Sequence, residues 1–470
     1  MDNNWGCNLV NIPGCGAKTF NEFDRHVRSD VRDFKLFGLE ASGTASNETA
    51  IEEATNYDFT KCMFAMGSYA GGSGKLLTMS TSTYSDEPKK GLSIPMKPEI
   101  SSEQARVQTV AFPYWVECSK FSDKERKDIE AKCLLALHKR ILIRLMAGDP
   151  YRAIFLELML CGNGGELSTD FLEKLGFLAK KYRIKIIVDE VMTGGRVGPK
   201  MAMTSQTPIS FRNQVEYITM GKVFNCGIVL KKIPNRPNVN EERRGNSTHL
   251  EAGEACMKWS EIQDRLERDF HQSRRSQVLS AFKLRDNEES WGKGCLIFTS
   301  KSRTWVSKGL KLRLLPMLES QKLRNGTTKD SPWNRSSLCN TLISSINEWL
   351  QHMDKCNMAE WPFTTAIVEC VLNPCTTEIT PEKMESMLGV TKADEMAELE
   401  RAKIRRNILC RNGRCDKRAK TFFRDAIGTA TENCPDIIKR VRVGKRRKLI
   451  YKINRAALVY VNNASSLLAI

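Results

Sequence analysis

No apolar stretch in this chain approaches the roughly 20 residues a helix needs to cross a bilayer, so a membrane-spanning protein is not expected. The first residues, MDNNWGCNLV, lack the basic start and apolar run of a secretory leader. The 16 cysteines are scattered and show no framework spacing. Without a leader, reduced thiols in the cytoplasm are the expectation. Cys410 and Cys415, with Cys434 further on, lack the close pairs and fourth ligand of a zinc site, so no metal is expected. The run GGSGK at 71–75 falls short of a nucleotide phosphate loop. Leu76 follows Lys75 where Ser or Thr is required, and Tyr69 takes the place of the first glycine. Internal repeats and low-complexity linkers are also missing.

What is present is an excess of positive charge, unevenly placed. The chain carries 73 Lys and Arg against 55 Asp and Glu, a net +18. Residues 401–455 hold 19 of those basic residues and four acids, Asp416, Asp425, Glu432 and Asp436. The body is therefore nearly neutral and the basic character belongs to the tail, which makes nucleic acid at 401–455 a candidate partner. The run Gly444–Lys448 also has the composition of a nuclear localisation signal.

At 470 residues the chain is long enough for two or three domains, and 41% hydrophobic content suffices to build their cores. The stretch 35–56 reads as a loop entering a helix, with Ser42-Gly43-Thr44 as start signals and Ala50, Ile51 and Ala54 as apolar stripe. A helix is expected over 122–147. Short apolar runs then alternate with helical patterns: AIFLEL, a helix over 169–182, IKIIVDEV, VEYITM and GIVL. That alternation predicts an α/β architecture, a mostly parallel sheet buried between helices. GCLIFTS and LKLRLLPM read as strands of a smaller α+β lobe, closed by the helix of SSLCNTLISSINEWLQHM. Beyond 356, WPFTTAIVECVL, TPEKMESMLGV and KADEMAELERAKIRRNIL read as helices, and DIIKRVRVGKRRKLIYKIN as two strands around Gly444. Helices followed by a basic hairpin suggest a winged-helix-like module. The predicted organisation is a short segment 1–34, a large domain 35–250, a small lobe 251–355 and a basic module 356–470.

Two residues stand out chemically. Asp189 ends the apolar run IKIIVDEV, and Lys222 follows the run VEYITM. A lysine amine forms a Schiff base with an aldehyde, and a carboxylate holds a pyridine nitrogen protonated. Pyridoxal phosphate needs one such group on each side of its ring. Glu190 points to the opposite face by strand alternation and reads as structural.

Four segments place these residues in company. SGTASNETAIEEA at 42–54, ELMLCGNGGELSTDFLEKLGFLAKKY at 157–182, IIVDEVMTGGRVG at 186–198 and ITMGKVFNCG at 218–227 occur in the order of four motifs of the class III (ornithine/GABA-type) aminotransferases. The chain resembles that family, a branch of the fold-type I pyridoxal phosphate enzymes, over roughly 35–355. The resemblance implies a sheet of the seven-stranded type and pyridoxal 5'-phosphate as cofactor. It implies that Lys222 and Asp189 are catalytic. It places the phosphate at Gly43 and Thr44, stacks Tyr69 on the ring, and has Thr248 reach the phosphate of the other subunit of a homodimer. Arg313, in LKLRLLPML, matches the arginine that grips the substrate carboxylate, and Glu157 a glutamate that either supports the site from behind or gates the substrate. Taken alone, the residues leave other roles open: a helix cap at 42–44, a core aromatic at Tyr69, a surface strand arginine at Arg313.

The sequence also departs from the family pattern. Only 41 residues precede Ser42 where the family has a longer segment, so a truncated N-terminus is expected, with a basic extension at the other end. Met192 stands where the family has Gln, Ala70 where His or Trp follows the aromatic, and Ala45 where Glu follows the serine-glycine loop; one residue is added near Gly162. The expected function is transamination between an amino acid or amine and a 2-oxo acid. The alternative is a catalytically impaired aminotransferase-like scaffold whose basic tail binds nucleic acid.

Overall fold

The computed structural model describes residues 16–72, 74–81, 97–99, 102–115, 121–160, 166–195, 200–234, 244–245, 249–269, 335–380, 419–443 and 448–458. The chain divides into two compact units, Met1–Arg126 with Arg152–Glu348, and Lys127–Tyr151 with Trp349–Ile470.

The first unit is built on an eight-stranded sheet of β1 (Phe34–Glu40), β2 (Cys62–Ala65), β3 (Thr109–Val110), β4 (Ala153–Glu157), β5 (Lys185–Glu190), β6 (Val215–Met220), β7 (Gly227–Lys232) and β8 (Arg244–Gly245). Its order is β3-β2-β4-β5-β6-β7-β1-β8. Neighbours from β3 to β6 run parallel, and β7 runs antiparallel to both β6 and β1. The four apolar runs read as strands are β4 to β7, and the sheet of the seven-stranded type carries an eighth, two-residue strand at its edge. The helices of this unit include α1 (Gly16–Asp30), α2 (Gly43–Thr55), α3 (Gly74–Met79), α4 (Glu103–Gln108), α6 (Thr169–Tyr182), α7 (Ile209–Arg212) and α8 (His249–Asp269).

β2 and β4 are buried along their whole length, which for β4 explains the continuous apolar run AIFLEL. Phe64 and Phe155 meet across them, ring centroids 5.5 Å apart, and burying each contributes roughly 1.5–3 kcal/mol. Helix α2 packs over β1 and β4–β7. Ser42 caps its start by accepting the N–H of Ala45 (3.2 Å), and Asn56 ends it in the left-handed conformation, φ 55°.

One expectation needs correction. The residues before Ser42, read as a loop, form β1, because Phe34, Leu36, Phe37 and Leu39 are all buried and the strand pairs with β7. The segment 1–34 also holds a helix, α1, whose Phe20, Phe23 and Val27 face inward. Trp259 of α8 meets Phe23 edge-on at 5.5 Å, and its indole N–H donates to Asp30 at 2.6 Å.

The second unit takes most of α5 (Asp123–Met146), the helix expected over 122–147, together with α9 (Arg335–Glu360) from Trp349 onward, α10 (Pro362–Leu372) and α11 (Ala419–Asn433). Buried Arg140 donates to Asn357 (2.6 Å) and Tyr151 (3.2 Å), and Lys139 bridges Asp354 and Glu369. Strands β9 (Glu378–Ile379), β10 (Ile438–Val443) and β11 (Lys448–Ile453) form an antiparallel sheet in the order β10-β11-β9. The two strands expected around Gly444 are β10 and β11. The strands expected in the small lobe, and the helices expected at TPEKMESMLGV and over 392–409, lie outside the described residues. No described helix is long and apolar enough to cross a membrane.

Candidate active site

Parallel strands end together, and in open α/β sheets a ligand sits beyond those carboxyl ends. Here Glu157, Asp189 and Thr219 stand in register at the ends of β4, β5 and β6. Lys222 follows β6 by two residues. The start of α2 brings Gly43 and Thr44 to the same place. Gly43, Thr44, Tyr69, Glu157, Asp189 and Lys222 line one cavity of about 340 Å³. Thr248 and Arg313 lie outside the described residues.

The turn carrying Lys222 is tightly held. Lys222 has φ 53°, a left-handed conformation that costs a side-chain-bearing residue roughly 1–2 kcal/mol. Phe224, two residues on, stacks on Trp259 at 5.4 Å and is fully buried. Gly227 anchors the far end: a Cβ there would sit 2.1 Å from the carbonyl oxygen of Ser42. The loop before α2 and the loop after β6 are thereby fixed against each other. Gly43 serves the same packing, since a Cβ on it would come within 2.4 Å of Val191 Cγ1. Gly43→Ala must displace either the loop or a stiff valine, at roughly 1–3 kcal/mol. The expected outcome is a lower melting temperature together with weaker phosphate and pyridoxal phosphate binding, checked by thermal unfolding and fluorescence titration.

Asp189 is the electrostatic centre. It is buried, its Oδ1 accepts the N–H of Val191 (2.8 Å) and its Oδ2 accepts the Asn47 amide (2.8 Å). Burial pushes its carboxyl up to about 7, against the pull of those two hydrogen bonds and of Lys222, while nearby Glu190 adds to the rise. Glu190 faces away, as alternation predicts. It accepts from the N–H groups of Met203 (2.7 Å) and Thr204 (2.8 Å) and from the Thr204 hydroxyl (2.6 Å), a structural role. Glu157 Oε1 accepts the N–H of Tyr69 at 2.9 Å, which sets where the Tyr69 backbone enters the site.

Sequence reasoning missed Asn47 and Thr219. Asn47 Nδ2 donates both to Asp189 and to the carbonyl of Ala70 (2.7 Å), while its Oδ1 accepts the Thr219 hydroxyl (2.5 Å). Two acceptors on one side fix the amide orientation. The signal was available: Asn47 falls on the stripe of Ala50, Ile51 and Ala54, so it is a polar residue on the buried face of α2.

The donor set fits pyridoxal phosphate. The first N–H groups of α2 and the Thr44 hydroxyl suit a phosphate. A buried carboxylate suits a pyridinium, and an amine suits an aldehyde. The cavity is also within the usual range for a small-molecule site, about 300–1,000 Å³. Thr44 Oγ1 already accepts the N–H of Gly72 (3.3 Å), which leaves its own proton to donate.

No family model matches the chain, and no curated protein does. Among solved structures it is similar to a lysine aminotransferase from M. tuberculosis, with 14% identity over 56% of this chain and 62% of that one and a TM-score of 0.42. It is also similar to a thermostable omega transaminase mutant from Pseudomonas jessenii, with 15% identity over 56% and 60% of the two chains and a TM-score of 0.41. An amine transaminase from an uncultivated Pseudomonas species gives 13% identity over 56% and 60%, with a TM-score of 0.40. The chain thus spans about 60% of the length of these structures. Likeness at this level leaves the function to the geometry.

Proposed function

We propose that the protein is a pyridoxal phosphate-dependent aminotransferase acting on an amino acid or amine and a 2-oxo acid. The observation that carries this reading is the convergence of Lys222, Asp189 and the Gly43–Thr44 helix start on one cavity. Bound there, the cofactor would supply the electron sink that lets a substrate carbon lose its proton.

The chain's own residues would do the rest. The Gly43 and Thr44 N–H groups and the Thr44 hydroxyl hold the phosphate. Asp189 keeps the ring nitrogen protonated, and its low-dielectric surroundings strengthen that pairing. Lys222 Nζ would hold the aldehyde between turnovers and, once displaced by the substrate amine, would carry the proton from the substrate carbon across to the cofactor. Tyr69 covers one ring face and fixes its tilt. Arg313 is proposed to take the substrate carboxylate through two parallel hydrogen bonds. Thr248 is proposed to complete the phosphate site of a partner subunit in a homodimer.

Reconstitution tests the reading. The chain, titrated with pyridoxal phosphate, is expected to bind it saturably and to develop a visible absorption that disappears on addition of an amino donor. A 2-oxo acid should then restore it. Absence of saturable binding would overturn the proposal.

A further inference from the structure

The basic tail has no part in that chemistry, yet its charge is organised. From Ile438 to Arg455 the sequence holds nine Lys and Arg and no acid. In the structure this segment includes the β10–β11 hairpin. Lys439, Arg440, Arg442 and Lys452 are exposed, and none makes an ion pair with a described residue. Arg455 is different: its guanidinium donates to the carbonyls of Asn373 and Thr376, so it is spent on closing the end of α10. Lys439 and Lys452 stand directly opposite one another across the two strands. Like charges in that position cost stability, and the only acid in register with them is Glu378 on β9. A fold that exposes such a pair on a regular ribbon gains stability from a polyanion.

We propose that the β10–β11 hairpin binds the phosphate backbone of duplex DNA, with Lys439, Arg440, Arg442 and Lys452 as the contacts. Shape and spacing favour this occupant. Over Val441–Val443 and Lys448–Ile450, where β9 no longer pairs, β10 and β11 form a two-stranded ribbon, and such a ribbon fits the major groove of B-form DNA, about 12 Å wide. Arg440 and Arg442 share one face of β10, opposite to the Lys439–Lys452 pair, and lie roughly 6.8 Å apart along the strand, about two base-pair steps of 3.4 Å, so a ribbon set between the two walls of the groove presents one pair to each. Duplex RNA offers a narrower major groove that such a ribbon does not enter. A membrane surface would require apolar side chains to insert beside the charges, and no large apolar residue is exposed within 425–442 or 450–458. The contact belongs to the hairpin rather than to α11, because Asp425, Glu432 and Asp436 are exposed on and just after that helix.

The test uses the full-length chain and a fluorescent 20-base-pair duplex of mixed sequence, with anisotropy measured from low to physiological salt. Binding should weaken linearly on a log–log plot. Replacing all four contacts by Gln should lower the slope by about 3.6 and the affinity at about 0.15 M salt by at least tenfold, at roughly 0.9 slope units per lost phosphate contact. Arg442→Gln alone should lower the slope by about 0.9, and Arg442→Lys should restore it. The single variants guard against misfolding of the fourfold one, which a thermal melt also checks. An unchanged slope in both the fourfold and the single Gln variants would overturn the proposal. So would equal, hairpin-dependent binding to polyglutamate or to vesicles containing phosphatidylserine. None of these measurements depends on pyridoxal phosphate, so this proposal and the aminotransferase reading stand or fall separately.

Discussion

Lys222→Ala is expected to lower turnover at least about 10³-fold, because in the proposed chemistry one amine would serve both as the covalent holder of the aldehyde and as the proton carrier. The visible absorption of the lysine-linked cofactor should be lost, leaving that of the free aldehyde. Affinity for pyridoxal phosphate should fall far less, since the phosphate cradle at Gly43–Thr44 and the Asp189 pairing are untouched. The backbone supplies a control. Lys222 has φ 53°, where alanine remains strained but glycine does not. Lys222→Gly should therefore match the alanine variant in lost activity while melting higher, by roughly 1 kcal/mol of stability. Absorbance scans, dialysis binding and melts of the two variants side by side read all of this. A visible band unchanged in Lys222→Ala would remove the lysine from its assigned place.

Much of this site was legible because its residues sit where sequence patterns are sharpest. β4 to β7 are short apolar runs broken by polar residues at their carboxyl ends, and those polar ends, Glu157, Asp189 and the Lys222 turn, are what line the cavity. The cap at Ser42 announced α2. Less legible was β1: FKLFGLE is buried on both faces and shows no alternation, and its antiparallel partner β7 lies about 190 residues away. Pairing at that separation leaves no local trace. Asn47 and Thr219 were missed for a different reason. Each is one polar residue in an apolar pattern, and only the hydrogen-bond chain from Thr219 to Asn47 to Asp189 gives them a meaning. The clamp of Phe224 on Trp259 is a tertiary contact that no spacing within either segment reveals.

The free chain should lose stability as pH rises from about 4 to 7, and bound pyridoxal phosphate should cancel that loss. Asp189 has an ordinary carboxyl value of 3.8 when unfolded and about 7 when folded. Between those values the folded state binds the extra proton, so the slope of unfolding free energy with pH is negative there and vanishes above the upper one. Across the window the difference amounts to roughly 4 kcal/mol, or on the order of 10 °C in melting temperature. Glu190, also raised by burial, adds a contribution of the same sign. Asp189→Asn should remove the part of the slope that belongs to Asp189 and keep the remainder. The charged and titratable groups around Asp189 include Glu157, Glu190, Lys222 and Tyr114. Tyr114, driven upward by burial, stays neutral throughout this window. A pyridinium held beside Asp189 would add an opposite charge to a desolvated carboxylate, which would bring its value down and flatten the profile. Asn47→Ala should act in the other direction: without the amide donor the carboxyl climbs further, the free chain becomes more pH-sensitive, and pyridoxal phosphate binds roughly tenfold more weakly for each 1.4 kcal/mol lost. Melting curves from pH 4 to 8, with and without the cofactor, measure these effects on three proteins. Parallel profiles for wild type and Asp189→Asn would show that the buried carboxyl is not the group that titrates. If the profiles differ as expected, the site itself weakens the empty fold: a carboxylate kept dry for a cation destabilises the chain until that cation arrives.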